Sequence, residues 1–273
     1  MIEINQRLYH TEYFPDGTQR LKLDQHDTER DDIEITWKYA DDGELFTVLA
    51  LAKSYRNMGK KITLNLPYVP NARMDRVKSE NEIFTLKIFC ELINAAGFSK
   101  IRVLDVHSNV TLALLDHVEQ VDVADVIRSA ALDKLPKDVI LYFPDEGSQK
   151  RYGDLFPEYR HVIGMKKRDW ETGTILGLDV QTNGIELAGK TVLMIDDIVS
   201  YGGSLYYSAL KLKELGAEHI YAYATHTELS VTDEEKGTLK LLLDADVVEK
   251  LFTTDSLFNA EYRNIEVYSV KFV

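Results

Sequence analysis

The segment IDDIVSYGGS at residues 195–204 contains residue types that suit phosphate binding, in the order that such a site requires. An apolar run ends in an acidic pair, a loop of small residues follows, and a helical pattern begins after it. Gly202 and Gly203 permit a tight turn and close approach of the backbone, and we expect Ser204 to donate its hydroxyl and to cap the helix. An ordinary strand-to-helix turn has the same features, so this segment alone leaves both interpretations open.

A second stretch, GIELAGKT at residues 184–191, matches the loop that wraps around the phosphates of nucleoside triphosphates. Such a loop needs a hydrophobic strand before its glycines and a helix after them, so that backbone N–H groups converge on phosphate. Here the polar sequence DVQTN precedes the glycines, and the strand-like run KTVLMID follows them. We interpret the match as a coincidence, which leaves the downstream segment as the candidate phosphate site.

Two further polar segments follow predicted strands. In NARMDR at residues 71–76, Arg73 and Arg76 surround Asp75, and such arginines either clamp phosphate oxygens or form a solvated charge cluster. His107 ends another apolar run, where it is either a metal ligand or phosphate donor, or a histidine bonded to backbone groups. Neither segment decides between its alternatives alone.

A cationic run, GMKKRD at residues 164–169, ends one more predicted strand. It contains Lys166, Lys167 and Arg168, and a long polar, glycine-containing segment, WETGTILGLDVQTNG, follows it. A charge run usually faces solvent, whereas phosphoryl transfer uses cations on a mobile loop to neutralise charge on the transferred group.

The elements that must position these residues alternate between strands and helices from Asp32 onward. A capping box from Ser79 to Glu82 predicts the start of one helix, and Gly97 predicts its end. That helix is apolar nearly all round, so we expect it to be buried. The alternation predicts an α/β protein whose mainly parallel sheets are flanked by helices and bind ligands at the carboxyl ends of their strands. We place the boundary between two domains near residue 123, giving domains 1–123 and 124–273.

Composition excludes several classes of protein. The 273 residues carry a formal net charge of −13, which argues against nucleic-acid or membrane surfaces as partners. The single cysteine, Cys90, excludes an intrachain disulfide framework, and no histidine or cysteine spacing suits a structural zinc site. The N-terminal sequence lacks the layout of a secretion signal, and no apolar run reaches membrane-spanning length, so we expect a cytoplasmic protein.

Taken in order, the polar segments resemble those of the ribose-phosphate pyrophosphokinases, relatives of the type I phosphoribosyltransferases. The similar stretches are FPDG at 14–17, PYVPNARMDR at 67–76, LDVHS at 104–108, FPDEGS at 143–148, MKKRD at 165–169, IDDIVSYGGS at 195–204 and IYAYATH at 220–226. The resemblance implies two phosphoribosyltransferase-like α/β domains, an ATP side in the first and a ribose-phosphate side in the second. It also implies transfer of the β,γ-diphosphoryl group of ATP to the 1-hydroxyl of a ribose 5-phosphate unit, with release of AMP.

The resemblance also implies roles for individual residues. On the ATP side, ATP would contact Phe14, Asp16, Arg73, Asp75, Arg76 and His107. Phe14 and Asp16 would reach the adenine of a neighbouring subunit's ATP, which implies a homo-oligomer, either a dimer or a hexamer. Mg²⁺ would lie beside His107 and Asp145, and the catalytic residues would be Lys166, Arg168 and His107.

On the acceptor side, the resemblance implies that Asp196 and Asp197 bind the ribose hydroxyls. The 5-phosphate would lie in the loop formed by Ser200, Tyr201, Gly202, Gly203 and Ser204. The family usually has an acidic residue and a threonine at the positions of Ser200 and Tyr201, a glutamine at Met74 and a glutamate at Thr18.

The tyrosine is the most informative of these departures, since a bulky ring replaces a small hydroxyl donor in the phosphate loop. Together with Tyr206 and Tyr207, Tyr201 offers a stacking face to a base. We therefore expect either an acceptor whose 5-phosphate carries a substituent, such as ADP-ribose, or plain ribose 5-phosphate with Tyr201 turned outward.

Two other functions fit parts of the pattern. A non-catalytic regulatory relative would bind nucleotides or a true synthetase, although such proteins are expected to lose the cations and the histidine that this chain keeps. A nucleobase phosphoribosyltransferase shares the IDDIVSYGGS type of loop but does not need NARMDR or LDVHS in a preceding domain.

Overall fold

The computed structural model describes the backbone of residues 1–168 and 175–272, with side chains except at 166–168 and 175–177. The strands are β1 Ile2–Ile4, β2 Arg7–Tyr9, β3 Glu12–Tyr13, β4 Gln19–Arg20, β5 Asp32–Trp37, β6 Lys61–Leu66, β7 Lys100–Leu104, β8 Val118–Val121, β9 Ile140–Phe143, β10 His161–Arg168, β11 Ile175–Gln181, β12 Thr191–Val199, β13 His219–Thr227, β14 Lys250–Thr254 and β15 Ile265–Tyr268. The helices are α1 Gln25–Thr28, α2 Gly43–Asn57, α3 Thr85–Ala96, α4 Asn109–Leu114, α5 Val123–Ala130, α6 Glu146–Tyr152, α7 Gly203–Glu214 and α8 Thr238–Asp244. Among the residues described, no helix combines the length and the apolar character that crossing a membrane requires.

The chain divides into two compact units. The first comprises Met1–Val121 together with the C-terminal residues from Lys271, and the second comprises Asp122–Val270.

The first unit contains a sheet in the order β2-β1-β5-β6-β7-β8, in which β5 to β8 run parallel. The inward-facing residues of β5, Ile33, Ile35 and Trp37, alternate with more exposed ones and are at most 1% exposed. They pack in one apolar cluster with buried residues of α2 and α3. Helices pack on this sheet, and the loops after β6 and β7 lie at its carboxyl edge.

The second unit contains a sheet in the order β11-β10-β9-β12-β13-β14-β15. All its strands pair in parallel except β11, which runs antiparallel to β10 at the edge. In the central strand β12, the aliphatic run Val192 to Ile195 is completely buried, as expected for a strand covered on both faces. The loops after β9, β12 and β13 therefore share one edge of this sheet.

The predicted α/β class with mainly parallel sheets is confirmed, and several predicted details are wrong. Ser79 and Glu82 form a turn rather than a capping box, and α3 starts three residues later at Thr85. That helix exposes Ile88 and Leu92, so it is buried on one face only. Its predicted end is right, because Gly97 adopts the left-handed conformation that ends many helices.

Two corrections and one confirmed prediction concern the second unit. Strand β12 continues through the acidic pair to Val199, whereas the pattern predicted that the apolar run ended before it. Residues 175–181 form β11, where the polar and glycine-containing sequence indicated a loop. GIELAGKT contains turns at Gly184 and Gly189 and then enters β12, so it lacks the helix that a triphosphate loop needs.

Candidate active site

Two carboxylates of the second unit, those of Asp145 and Asp196, are joined through one hydroxyl group. Asp145 follows β9 and caps α6, where its Oδ1 accepts a hydrogen bond of 3.1 Å from the backbone N–H of Ser148. The Oγ of Ser148 lies 3.2 Å from Oδ1 of Asp145 and 3.2 Å from Oδ1 of Asp196. Because a serine hydroxyl has one proton, the two acceptors share it. The neighbouring strands β9 and β12 thus hold two acidic groups beside each other.

The second member of the acidic pair, Asp197, is only 8% exposed and forms an ion pair. Its Oδ2 lies 2.9 Å from Nη1 of Arg151 on α6. This arginine was missed in the sequence, where the stretch QKRY indicated only a helix. The ion pair joins the carboxyl edge of β12 to the helix that Asp145 caps, so Arg151 orients one of the predicted sugar-binding carboxylates.

The loop Ser200–Ser204 leads from β12 into α7 and is held against α8. The carbonyl oxygen of Tyr201 accepts hydrogen bonds from the backbone N–H groups of Thr238 at 2.9 Å and Leu239 at 3.2 Å, and from Oγ1 of Thr238 at 2.9 Å. Gly202 has a φ of +85°, and a Cβ there would lie 2.3 Å from Cβ of Leu239. Both the backbone conformation and the space therefore require glycine at this position.

The start of α7 presents hydrogen-bond donors to a phosphate. The helix begins at Gly203 with Gly202 as its N-cap, so its first N–H groups have no partner within the helix. Ser204 does not cap the helix as predicted, because it lies inside the first turn. Its buried Oγ makes no hydrogen bond within the described part of the chain.

A buried hydroxyl pair supports this turn from below. The Tyr142 hydroxyl donates to Oγ of Ser208 at 2.9 Å, and Ser208 donates to the carbonyl oxygen of Ser204 at 2.8 Å. Burial raises the pKa of Tyr142 to about 12, so the phenol stays a neutral donor at physiological pH.

Aromatic side chains lie beside the loop Ser200–Ser204, which we call the phosphate loop. Tyr201 is 41% exposed, Tyr207 is 58% exposed, and the Tyr206 and Tyr207 rings meet edge to face with centroids 5.2 Å apart. Exposed rings next to the loop are able to stack with a planar group of a bound ligand.

The two predicted catalytic cations fall at the limit of the described structure. The backbone of Lys166 and Arg168 lies within β10, where these residues pair with Leu178 and Ile175 of β11. This placement at the end of a strand is the one that the sequence predicted. The side chains of Lys166 and Arg168 lie outside the described residues, so their roles stay predictions.

In the first unit, the loops after β6 and β7 leave neighbouring parallel strands at the same edge. The first contains Arg73, exposed Arg76 and half-buried Asp75, whose Oδ1 lies 3.8 Å from Nε of Arg76. The second contains His107, which is partly exposed and precedes the helix cap Ser108. The loops that contain the arginines and the histidine predicted to bind ATP therefore leave the sheet at the same edge.

Phe14 and Asp16 lie at the tip of the β3–β4 hairpin. Oδ1 of Asp16 accepts hydrogen bonds from Oγ1 of Thr18 at 2.7 Å and from its backbone N–H at 2.9 Å, and these bonds lower the pKa of Asp16. The guanidinium of Arg20 lies 5.9 Å from the Phe14 ring centroid. The Phe14 ring is exposed at this tip, and the two hydrogen bonds from Thr18 fix the orientation of the Asp16 carboxylate.

A cavity in the first unit lies apart from the predicted site residues. A cavity of about 380 Å³ near Arg7 and Lys22 contains none of the predicted site residues in its lining. Within residues 1–168 and 175–272, no group of three or more potential ligands forms a ready metal site.

Comparison with known proteins agrees with this arrangement. The chain is 29% identical over 217 residues to a ribose-phosphate pyrophosphokinase of Pyrococcus abyssi, covering 78% of this chain and 74% of the relative. It is 29% identical over 219 residues to the protein of that name from Thermococcus kodakarensis, covering 78% and 75%. No protein-family model matches. Among solved structures, the phosphoribosylpyrophosphate synthetase of Mycobacterium smegmatis superposes with a TM-score of 0.73 at 20% identity, covering 95% of this chain and 85% of that one, which shows a shared fold.

Proposed function

We propose that the chain, which is similar to ribose-phosphate pyrophosphokinases over 78% of its length, transfers the β,γ-diphosphoryl group of ATP to the 1-hydroxyl of a ribose 5-phosphate unit and releases AMP. One observation carries the proposal. The Ser148 hydroxyl joins the carboxylates of Asp145 and Asp196 at the edge where β12 leads into the loop Ser200–Ser204. The carboxylates proposed to bind a sugar and a cation therefore lie at the same edge of the sheet as the N–H groups proposed to bind a phosphate.

On the acceptor side, Asp196 and Asp197 bind the ribose hydroxyls, because carboxylates accept hydrogen bonds from hydroxyl groups. Arg151 keeps the Asp197 carboxylate oriented through their ion pair. The first N–H groups of α7 and the Ser204 hydroxyl bind the 5-phosphate. With both ends of the sugar held, the 1-hydroxyl keeps one position for in-line attack on phosphorus.

The acidic groups also fit Mg²⁺. This ion binds through one or two carboxylates together with substrate phosphates, and Asp145 and Asp196 supply such carboxylates. When bound, Mg²⁺ neutralises charge on the phosphates of ATP.

On the ATP side, we assign the phosphates to Arg73 and Arg76, with Asp75 orienting Arg76. Lys166 and Arg168 supply positive charge to the equatorial oxygens of the transferred group, where transition-state charge is spread. Phe14 and Asp16 bind the adenine of an ATP held by a neighbouring subunit, so the working enzyme is a homo-oligomer.

The acceptor that fits the loop best is a ribose 5-phosphate whose phosphate carries a substituent, and ADP-ribose is the candidate. Tyr201 occupies a position where the family usually has a threonine, and its exposed ring offers a stacking surface. Tyr207 adds a second exposed ring on the helix that follows. Both features favour an acceptor that extends beyond its 5-phosphate to an aromatic base.

The test is to incubate the protein with ATP, Mg²⁺ and either ribose 5-phosphate or ADP-ribose, and to measure AMP and the diphosphorylated acceptor. We expect AMP with a ribose-phosphate acceptor and a larger kcat/KM for ADP-ribose. AMP with ribose 5-phosphate alone would eliminate the substituted acceptor. Binding of ATP without AMP release would point to a regulatory protein, and base-dependent release of diphosphate would point to a nucleobase phosphoribosyltransferase.

A further inference from the structure

A chain of two hydroxyls and a carboxylate connects the phosphate loop to the turn after β13. Oγ of Ser200, the first residue of the loop, lies 3.2 Å from Oγ of Ser230. Oγ of Ser230 donates to Oε2 of Glu228 at 3.2 Å. We call this Ser200–Ser230–Glu228 chain the loop relay.

The direction of the loop relay follows from counting protons. A carboxylate only accepts hydrogen bonds, and a serine hydroxyl has one proton. The proton of Ser230 therefore points to Glu228, so Ser230 is the acceptor in its contact with Ser200. The single proton of Ser200 points to Ser230 and away from any ligand in the loop.

The backbone holds the loop relay in place. The N–H of Glu228 donates to the carbonyl oxygen of Val199 at 2.8 Å, and Val199 is the residue directly before Ser200. Val199 also pairs with Thr227 in the β12–β13 register. The N–H of Val231 closes the turn on the carbonyl oxygen of Glu228 at 3.1 Å. Ser230 and Glu228 are thus fixed relative to the loop by the sheet itself.

The loop relay reduces the number of side-chain hydrogen-bond donors that the loop Ser200–Ser204 presents to a phosphate. Ser200 presents lone pairs instead of a proton, and Tyr201 stands where the family has a small hydroxyl. The donors that remain include backbone N–H groups, among them those at the start of α7, and the Ser204 hydroxyl. A terminal phosphomonoester carries between one and two negative charges at neutral pH, whereas a substituted phosphate carries one. Because this loop has few side-chain donors and Glu228 lies nearby, it favours the substituted phosphate, which carries the smaller negative charge.

Resting on the proposed function, we infer that Ser230 and Glu228 are specificity-determining residues, which withhold the Ser200 proton and so disfavour acceptors with a terminal phosphate. Both act through Ser200 and neither needs to touch the acceptor. The inference predicts that breaking the loop relay improves binding of ribose 5-phosphate. The rate of diphosphoryl transfer to the 1-hydroxyl should stay unchanged.

Two substitutions break the loop relay in different ways. Ser230→Ala removes the acceptor of the Ser200 proton. Glu228→Gln lets the new amide donate to Ser230, whose proton then turns toward Ser200 and frees the Ser200 proton. Since a hydrogen bond to a charged group is involved, we expect kcat/KM for ribose 5-phosphate to rise roughly tenfold in each variant, through a lower KM at similar kcat.

Thr232→Ala is the matched control. Thr232 lies on the same turn as Ser230, and its hydroxyl donates to the carbonyl oxygen of Leu229 at 2.9 Å. We expect the preference between acceptors to be unchanged in this variant. In a Ser200→Ala background, the effect of Ser230→Ala should vanish, because the proton that it releases is absent.

Calorimetric titration with ribose 5-phosphate and with ADP-ribose separates this inference from the proposed function. Absence of AMP with both acceptors refutes the proposed function, while tighter ribose 5-phosphate binding by the S230A and E228Q variants still supports the loop relay. Unchanged preference in both variants overturns the inference. It is equally overturned if the gain persists in the Ser200→Ala background, or if the wild-type protein binds neither acceptor.

Discussion

Replacing Gly202 by alanine tests whether the phosphate loop depends on its contact with α8. A Cβ at this position would lie 2.3 Å from Cβ of Leu239, 3.2 Å from its backbone N and 3.3 Å from its Cα. The residue also has a φ of +85°, which strains any side chain. The matched control is Gly184→Ala, because Gly184 has a φ of +81° and a Cβ there has no neighbour within 4 Å in the described structure.

The expected magnitude follows from these distances. The left-handed backbone costs about 1–2 kcal/mol in both variants. In Gly202→Ala, relief of the overlap needs a shift of more than about 1 Å, since carbon atoms pack at about 3.5–4.0 Å. Such a shift breaks the three hydrogen bonds onto the Tyr201 carbonyl, each worth about 1 kcal/mol. We therefore expect Gly202→Ala to destabilise the protein by about 2–3 kcal/mol more than Gly184→Ala does.

The assay is urea denaturation followed by circular dichroism, together with the KM for the acceptor. Gly202→Ala should lower the free energy of unfolding and raise the acceptor KM, whereas Gly184→Ala should leave KM unchanged. Equal stability of the two variants, with equal acceptor KM, would refute the inferred packing of the loop on α8.

Three further predictions concern the charged and buried groups. Asp196→Asn should reduce AMP release by about a hundredfold or more, because it removes one of the two bridged carboxylates, while the melting temperature changes little; full activity would contradict its role. Arg151→Met should raise the acceptor KM and destabilise the protein by about 1–3 kcal/mol, whereas Arg151→Lys should lose less; a neutral Arg151→Met variant would mean that the ion pair with Asp197 orients nothing. Burial raises the pKa of Cys90 to about 12, so the unfolded chain loses this proton first and the free energy of unfolding should fall as pH rises above about 9. Cys90→Ala should show a shallower fall over that range in urea titrations, and an identical slope would contradict the assignment.

Much of the fold was predictable because its signals are local. The aliphatic run of β12 is completely buried between helices, and such runs are typical of central parallel strands. Gly97 adopts a left-handed conformation at the end of α3, as its position predicted. Alternation of such elements was enough to predict an α/β protein with mainly parallel sheets.

The remaining features depend on contacts that no local pattern contains. Ser148 meets Asp196 across 48 residues of sequence, and Ser200 meets Ser230 across 30 residues. Ser79 and Glu82 have the spacing of a capping box, yet the chain uses them in a turn before the helix. Tertiary packing decides such cases, so the loop relay and the bridged carboxylates were visible only in three dimensions.

The central claim is that the protein moves a diphosphoryl group from ATP to the 1-hydroxyl oxygen of a ribose that carries a 5-phosphate. The most direct test is a single reaction that contains ATP, Mg²⁺ and equal concentrations of ribose 5-phosphate and ADP-ribose, with both products measured by mass spectrometry. We predict that AMP forms in equal amount to the diphosphorylated acceptors and that diphosphorylated ADP-ribose predominates. AMP accompanied only by diphosphorylated ribose 5-phosphate would contradict the proposed acceptor, and absence of both products would contradict the claim itself.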